Sequence, residues 1–118
     1  MNKKHFLFIL FILLVWNHNL LAQTQAEMNQ TAINDLQKAD IVLNKVYKQL
    51  IKTLDEPEKQ LLIKAQKDWL KFRDSHCEFE SAEYEGGSIQ PLIHSVCLTE
   101  CTKNRIDDLK ASLESREK

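Results

Sequence analysis

Residues 55–77 read DEPEKQLLIKAQKDWLKFRDSHC, and this stretch decides the fold. Asp55 suits a helix N-cap, Pro57 suits the first turn, and Glu58 stands three residues after the cap. Leu61, Leu62, Ala65, Trp69, Phe72 and Cys77 then recur at helical spacing. The segment is therefore an amphipathic helix with its start marked. The next break is Glu85-Gly86-Gly87-Ser88, followed by Pro91.

Working outward, Met28, Leu36, Ala39, Leu43, Val46, Tyr47, Leu50 and Leu54 step by threes and fours. They predict a first helix from about Thr24 to Leu54. Its length leaves room for a kink or break. Downstream, Ser88 or Gln90 opens a third helix, with Pro91 early and Leu92, Val96, Ile106, Leu109 and Leu113 on one stripe. The charged stretch Lys110 to Lys118 is expected to fray. The chain holds two glycines and two prolines, and all four fall at these two breaks. No β-rich segment or repeat interrupts the pattern. The expected fold is all-α, a small up-down-up bundle of three main helices.

The first 22 residues read differently. Met1-Asn2-Lys3-Lys4-His5 is a basic start, and Phe6 to Trp16 is an unbroken apolar run. Asn17-His18-Asn19 interrupts it, and Leu20-Leu21-Ala22 offers a small residue before Gln23. This is the pattern of a secretory signal peptide cut after Ala22. A membrane span takes roughly 20 apolar residues, more than this run supplies. The expected organisation is a signal over residues 1–22 and one helical domain over residues 23–118, periplasmic or secreted, without a membrane span after cleavage. No Cys follows the run to accept a lipid.

Cleavage removes Lys3 and Lys4, leaving 14 basic against 17 acidic side chains. A net charge of −3 argues against a nucleic-acid partner, whose phosphates demand a basic surface. The three cysteines, Cys77, Cys97 and Cys101, all lie in the remaining part. An oxidising compartment favours disulfides, and a domain this small gains from a staple. An odd number leaves one thiol over or pairs it between chains.

Catalytic patterns are missing. His76-Cys77 and His94 with Cys97 match no zinc-finger or ribbon spacing. Gly86-Gly87-Ser88 lacks the Lys and the spacing of a phosphate loop, and no nucleophile elbow occurs. The sequence thus predicts no enzyme, cofactor or metal. Polar residues beside core positions say more. Asp40, Asn44, Arg73, Asp74, Thr102 and Arg105 form an expected structural network, with Asp40 pairing one of the arginines. Glu78, Glu80, Glu83 and Glu85 gather before the glycine pair. Acidic residues at a helix C-terminus oppose its dipole, so a mobile, negatively charged loop is expected there.

Three groups of residues carry a resemblance. The first is Ala39-Asp40, Leu43-Asn44 and Tyr47. The second is Ala65-Gln66, Trp69, Arg73-Asp74 and Cys77. The third is Gly86-Gly87-Ser88, Cys97, Thr102 and Arg105. In this order they resemble the LprI-type lysozyme-inhibitor N-terminal domain family of small exported bacterial proteins. The resemblance runs from about Gln25 to Leu109, and Ala-Gln-x-x-Trp-x-x-x-Arg-Asp-x-x-Cys is its most specific piece. It implies a helical exported domain and inhibition of lysozyme. Two positions depart from the pattern. Thr31 stands where many members carry a Cys, and Cys101 stands where an apolar residue is usual. Cys77 and Cys97 match the shared positions, which makes them the expected disulfide.

The expected partner is a protein, a basic lysozyme, and the expected contact is Glu83, Tyr84, Glu85, Gly86, Gly87 and Ser88. The rival reading is a non-enzymatic adaptor or structural module of the envelope with a different protein partner.

Overall fold

The computed structural model describes residues 3–117. Three helices account for nearly all of them: α1 (Lys3–Lys52), α2 (Glu56–Ala82) and α3 (Gln90–Arg116). No strand occurs among the described residues. The bundle runs up, down and up as expected. α3 packs on both other helices, whereas the backbones of α1 and α2 approach each other far less.

α1 differs most from its expected bounds. It is one continuous helix of 50 residues, with no break at Thr24. Nothing between Lys3 and Lys52 is Gly or Pro, so no residue interrupts the hydrogen-bond ladder. At 1.5 Å per residue such a helix spans roughly 75 Å, which explains a longest dimension of 82 Å. Among its described residues, the first buried one is Ala32. Met1, Asn2 and Lys118 lie outside the described residues.

The α1–α2 turn forms as its residues dictate. Asp55 Oδ1 accepts the Glu58 backbone N–H at 2.9 Å, with Pro57 in the first turn. The Glu58 carboxylate does not reach back to complete a capping box. It accepts Arg116 Nη1 at 2.9 Å instead. That bond ties the end of α3 to the start of α2, and α3 stays helical to Arg116 rather than fraying from Lys110.

The main core joins Leu43, Val46, Leu50 and Leu54 of α1 and its turn to Ile106 and Leu109 of α3. Tyr47, Leu62, Trp69 and Leu113 pack against it. Toward the α2–α3 connection the buried residues become small: Ala32, Ala39, Cys77, Ser81, Ser95, Thr99 and Thr102. Ser81, Thr99 and Thr102 bond their hydroxyls within their own helices. Thr99 Oγ1 donates to the Ser95 carbonyl at 2.9 Å, and Thr102 Oγ1 donates to the Leu98 carbonyl at 2.7 Å.

Two apolar stripes need correction. Leu61 is 70% exposed and Phe72 59% exposed. The inward face of α2 passes one position later, through Leu62, Gln66, Trp69, Arg73, Cys77 and Ser81. On α3, Val96 is exposed, and Ser95, Thr99 and Thr102 line the seam above Ile106 and Leu109.

Candidate functional site

The expected polar network is mostly assembled, and it is a brace between helices. Arg73 is the centre, with its side chain only 12% exposed. Its Nη1 donates to Asp40 Oδ1 at 3.3 Å and to Thr102 Oγ1 at 3.2 Å, and its Nε to Asp74 Oδ1 at 2.9 Å. One guanidinium thereby joins all three helices. Thr102, fully buried, donates to its own helix and accepts from Arg73. A charge this far from solvent persists only when its donors are used.

Arg105 goes elsewhere. Its Nε donates to Gln66 Oε1 at 3.0 Å. Both guanidinium carbons approach the Trp69 ring, Arg73 at 5.2 Å and Arg105 at 5.8 Å from the centroid, within reach of cation–π attraction. Trp69 is thus half-buried, set against the core below arginine planes, rather than a free platform. Asn44 does not join. It is exposed on α1 and makes no side-chain hydrogen bond among the described residues. Gln66 is the member that the residue pattern did not single out, although it sits in the most specific stretch.

The staple joins Cys77 to Cys97, as expected, with Cα atoms 5.5 Å apart. Cys101 is the free thiol, half-buried one turn further along α3. His76 stacks on Phe72 with centroids 5.4 Å apart. Donor atoms of His76, Cys97 and Cys101 all lie within 4.8 Å of one another. Because the Cys97 sulfur is spent in the disulfide, the folded cluster offers one imidazole and one thiol.

The acidic segment keeps more helix than expected. α2 runs through Glu78 and Glu80 to Ala82, so only Glu83 to Ser88 belong to the connection proper. Successive turns build it: Tyr84 N–H to the Ser81 carbonyl, Glu85 to Ala82, Gly87 to Tyr84 and Gln90 to Gly87. Gly86 has φ 78°, where a side chain would be strained. A Cβ at Gly87 would stand 3.2 Å from the Tyr84 carbonyl oxygen. From α1, Asn29 Nδ2 donates to the Ser88 carbonyl at 3.1 Å. A hydrophobicity reading could not find Asn29, because its contact is a polar one with a backbone carbonyl 59 residues away.

All six expected contact residues, Glu83 to Ser88, are exposed, with Tyr84 at 38%. Glu78, Glu80, Glu83 and Glu85 make no ion pair among the described residues. Beside them a shallow groove of about 420 Å³ is lined by Glu78, Glu85, Gln90, Pro91 and His94. The opposite end of the bundle has a second groove, about 310 Å³, between Leu54, Leu62, Arg105 and Arg116. No helix among the described residues is long and apolar enough to cross a membrane.

Comparison with known proteins gives the family. The family model described as lysozyme inhibitor LprI matches residues 17–109. An uncharacterized protein of Rhizobium meliloti (strain 1021) is 35% identical over 109 residues, covering 81% of this chain and 78% of the relative. No solved structure matches. The family is one of inhibitors rather than enzymes. The Ala-Gln-x-x-Trp-x-x-x-Arg-Asp-x-x-Cys stretch is accounted for here by a three-helix brace and its staple, and on the whole match this chain belongs to the LprI lysozyme-inhibitor family.

Proposed function

We propose that this protein is exported, is cleaved after Ala22, and binds and inhibits a basic lysozyme-type muramidase through the α2–α3 connection. Family membership supports inhibition as the activity. One observation supports the place. Glu83 and Glu85, without ion pairs among the described residues, flank the partly exposed Tyr84 on a connection folded into turns, and the likewise unpaired Glu78 and Glu80 precede them at the end of α2. Acidic groups free of intramolecular partners are available to a basic surface, where they raise the association rate more than the affinity. Tyr84 is the anchor, since buried aromatics dominate interface energy. The Asn29 bond and the Cys77–Cys97 staple hold the segment before a partner arrives, which lowers the entropy lost on binding. The protein acts by covering the enzyme's cleft and performs no chemistry.

The test is binding kinetics and inhibition with the purified mature chain and lysozyme. Charge reversal at Glu83 and Glu85 slows association and flattens its salt dependence. Tyr84→Ala speeds dissociation, by an amount worth about 2 kcal/mol. If lysozyme does not bind the wild type, inhibition is not this member's activity. If it binds and neither change alters the rates, the contact lies elsewhere, with the groove at Leu54 and Leu62 next to be tried.

A further inference from the structure

α3 presents two cysteines to α2. Cys97 and Cys101 are four residues apart, so they lie on one helical face a turn apart. Cys97 holds the bond to Cys77, yet the Cys101 sulfur stands 3.9 Å from the Cys77 sulfur. That is van der Waals contact between a thiol and a disulfide sulfur. Within 4.8 Å of both α3 sulfurs is a ring nitrogen of His76, the neighbour of Cys77 in sequence.

We propose that Cys101 is a resident exchange thiol, which takes the cross-link over from Cys97 so that the α2–α3 staple has two interchangeable positions. The step balances within the chain. His76 accepts the Cys101 thiol proton, and the Cys101 thiolate attacks the Cys77 sulfur. The Cys77–Cys101 bond forms as the Cys77–Cys97 bond breaks. The Cys97 thiolate leaves and takes the proton back from the imidazolium. One disulfide and one thiol enter, and one disulfide and one thiol remain, so no outside oxidant or reductant is needed.

Chain entropy does not oppose the shift. The two bonds close loops of sequence separation 20 and 24, nearly the same constraint on the unfolded chain. Bonding Cys97 to Cys101 would be a different matter, since both sit on α3 and the helices would lose their tie. The arrangement also protects the staple. When a small-molecule thiol opens the disulfide at Cys77, two neighbouring thiols rather than one can displace it and restore the link between the helices.

The experiment traps free thiols in the native full-length mature protein with iodoacetamide, quenches in acid and digests without reduction. Glu100 lies between Cys97 and Cys101, so a glutamyl endopeptidase separates the two. The wild type is expected to carry label on both Cys97 and Cys101, with Cys77 found linked to each. Cys97→Ser is expected to form the Cys77–Cys101 disulfide in a glutathione buffer and to melt within a few degrees of wild type. Cys77→Ser forms neither interhelical bond. His76→Asn slows the appearance of label at Cys97 several-fold without changing the circular dichroism. Label confined to Cys101 in the wild type would overturn the proposal. So would a Cys97→Ser protein that keeps two free thiols, or a wild type whose Cys101 is consumed in a covalent dimer. A His76→Asn protein that exchanges at the wild-type rate would remove His76 from the step.

Discussion

Where α1 ends and α2 begins, Leu43, Val46, Leu50 and Leu54 meet Ile106 and Leu109. At the other end of the same bundle, the buried residues are Ala32, Ala39, Ser81, Ser95 and Thr99, and a disulfide crosses above them. The first region is held by burial of large side chains, each worth about 1.5–3 kcal/mol. The second buries little apolar area per residue. It is held by a covalent link, by hydroxyls bonded to their own helix, and by Asn29 reaching the connection. Between the two stands Arg73, which joins α1, α2 and α3 by hydrogen bonds. The difference teaches that a small helical domain need not spread its core evenly. A covalent staple stands in for large side chains at the end where the exposed acidic connection is displayed.

The comparison breaks most clearly at Leu50, which is 2% exposed. Leu50→Ala should cost about 4 kcal/mol, within the range for buried leucines, and chemical denaturation measures it. A loss below about 1 kcal/mol would mean that the large-residue end is not where stability is concentrated.

Removing the staple tests the other end. Cys77→Ser eliminates both possible α2–α3 bonds and should cost about 3 kcal/mol, the chain-entropy value for a loop of about 20 residues. Hydrogen exchange should show the loss concentrated in residues 77–97, with protection around Leu50 and Leu109 less affected. Uniform loss would show that the two ends fold as one unit.

Arg73→Ala probes the brace between them. It removes charged hydrogen bonds to Asp40 and Thr102 and should cost about 2 kcal/mol. Arg73→Lys should not restore it, because an ammonium cannot reproduce the planar fork. Recovery by Lys would assign the effect to charge alone.

The smallest effect belongs to the exposed α2 pair, Lys64 and Asp68, whose Nζ and Oδ2 lie 2.5 Å apart. The hydrogen bond from Lys64 holds the Asp68 carboxyl below the usual carboxylate value. A carboxyl lowered on folding contributes stability above its unfolded pKa and loses it as pH falls through the folded one. Here the pair is fully in water and screened by salt. Asp68→Asn should therefore leave the acid limb of the stability curve almost unchanged at moderate salt. A marked flattening would place this pair among the interactions that matter.

The sequence alone was enough for the helical class, the two turns and the staple. The reason is local. Gly and Pro occur only at the breaks, Asp55 caps its own helix through the next turn, and the family pattern places Cys77 and Cys97. Several polar partners could also be anticipated, because Asp40, Arg73 and Thr102 interrupt apolar stripes. The tertiary structure alone decided which face each stripe buries. α2 packs chiefly on α3, so its inward face is narrow, and Leu61 and Phe72 fall just outside it. On α3 the seam uses Ser95, Thr99 and Thr102, polar residues that a hydrophobicity pattern reads as surface; the Thr99 and Thr102 hydroxyls donate to carbonyls of their own helix, and Thr102 also accepts from Arg73. The choice of Asp40 for Arg73 and Gln66 for Arg105, and the approach of Cys101 to Cys77, join residues 24 to 39 positions apart. Such meetings depend on how each helix is rotated against its neighbour, which periodicity along one helix does not specify.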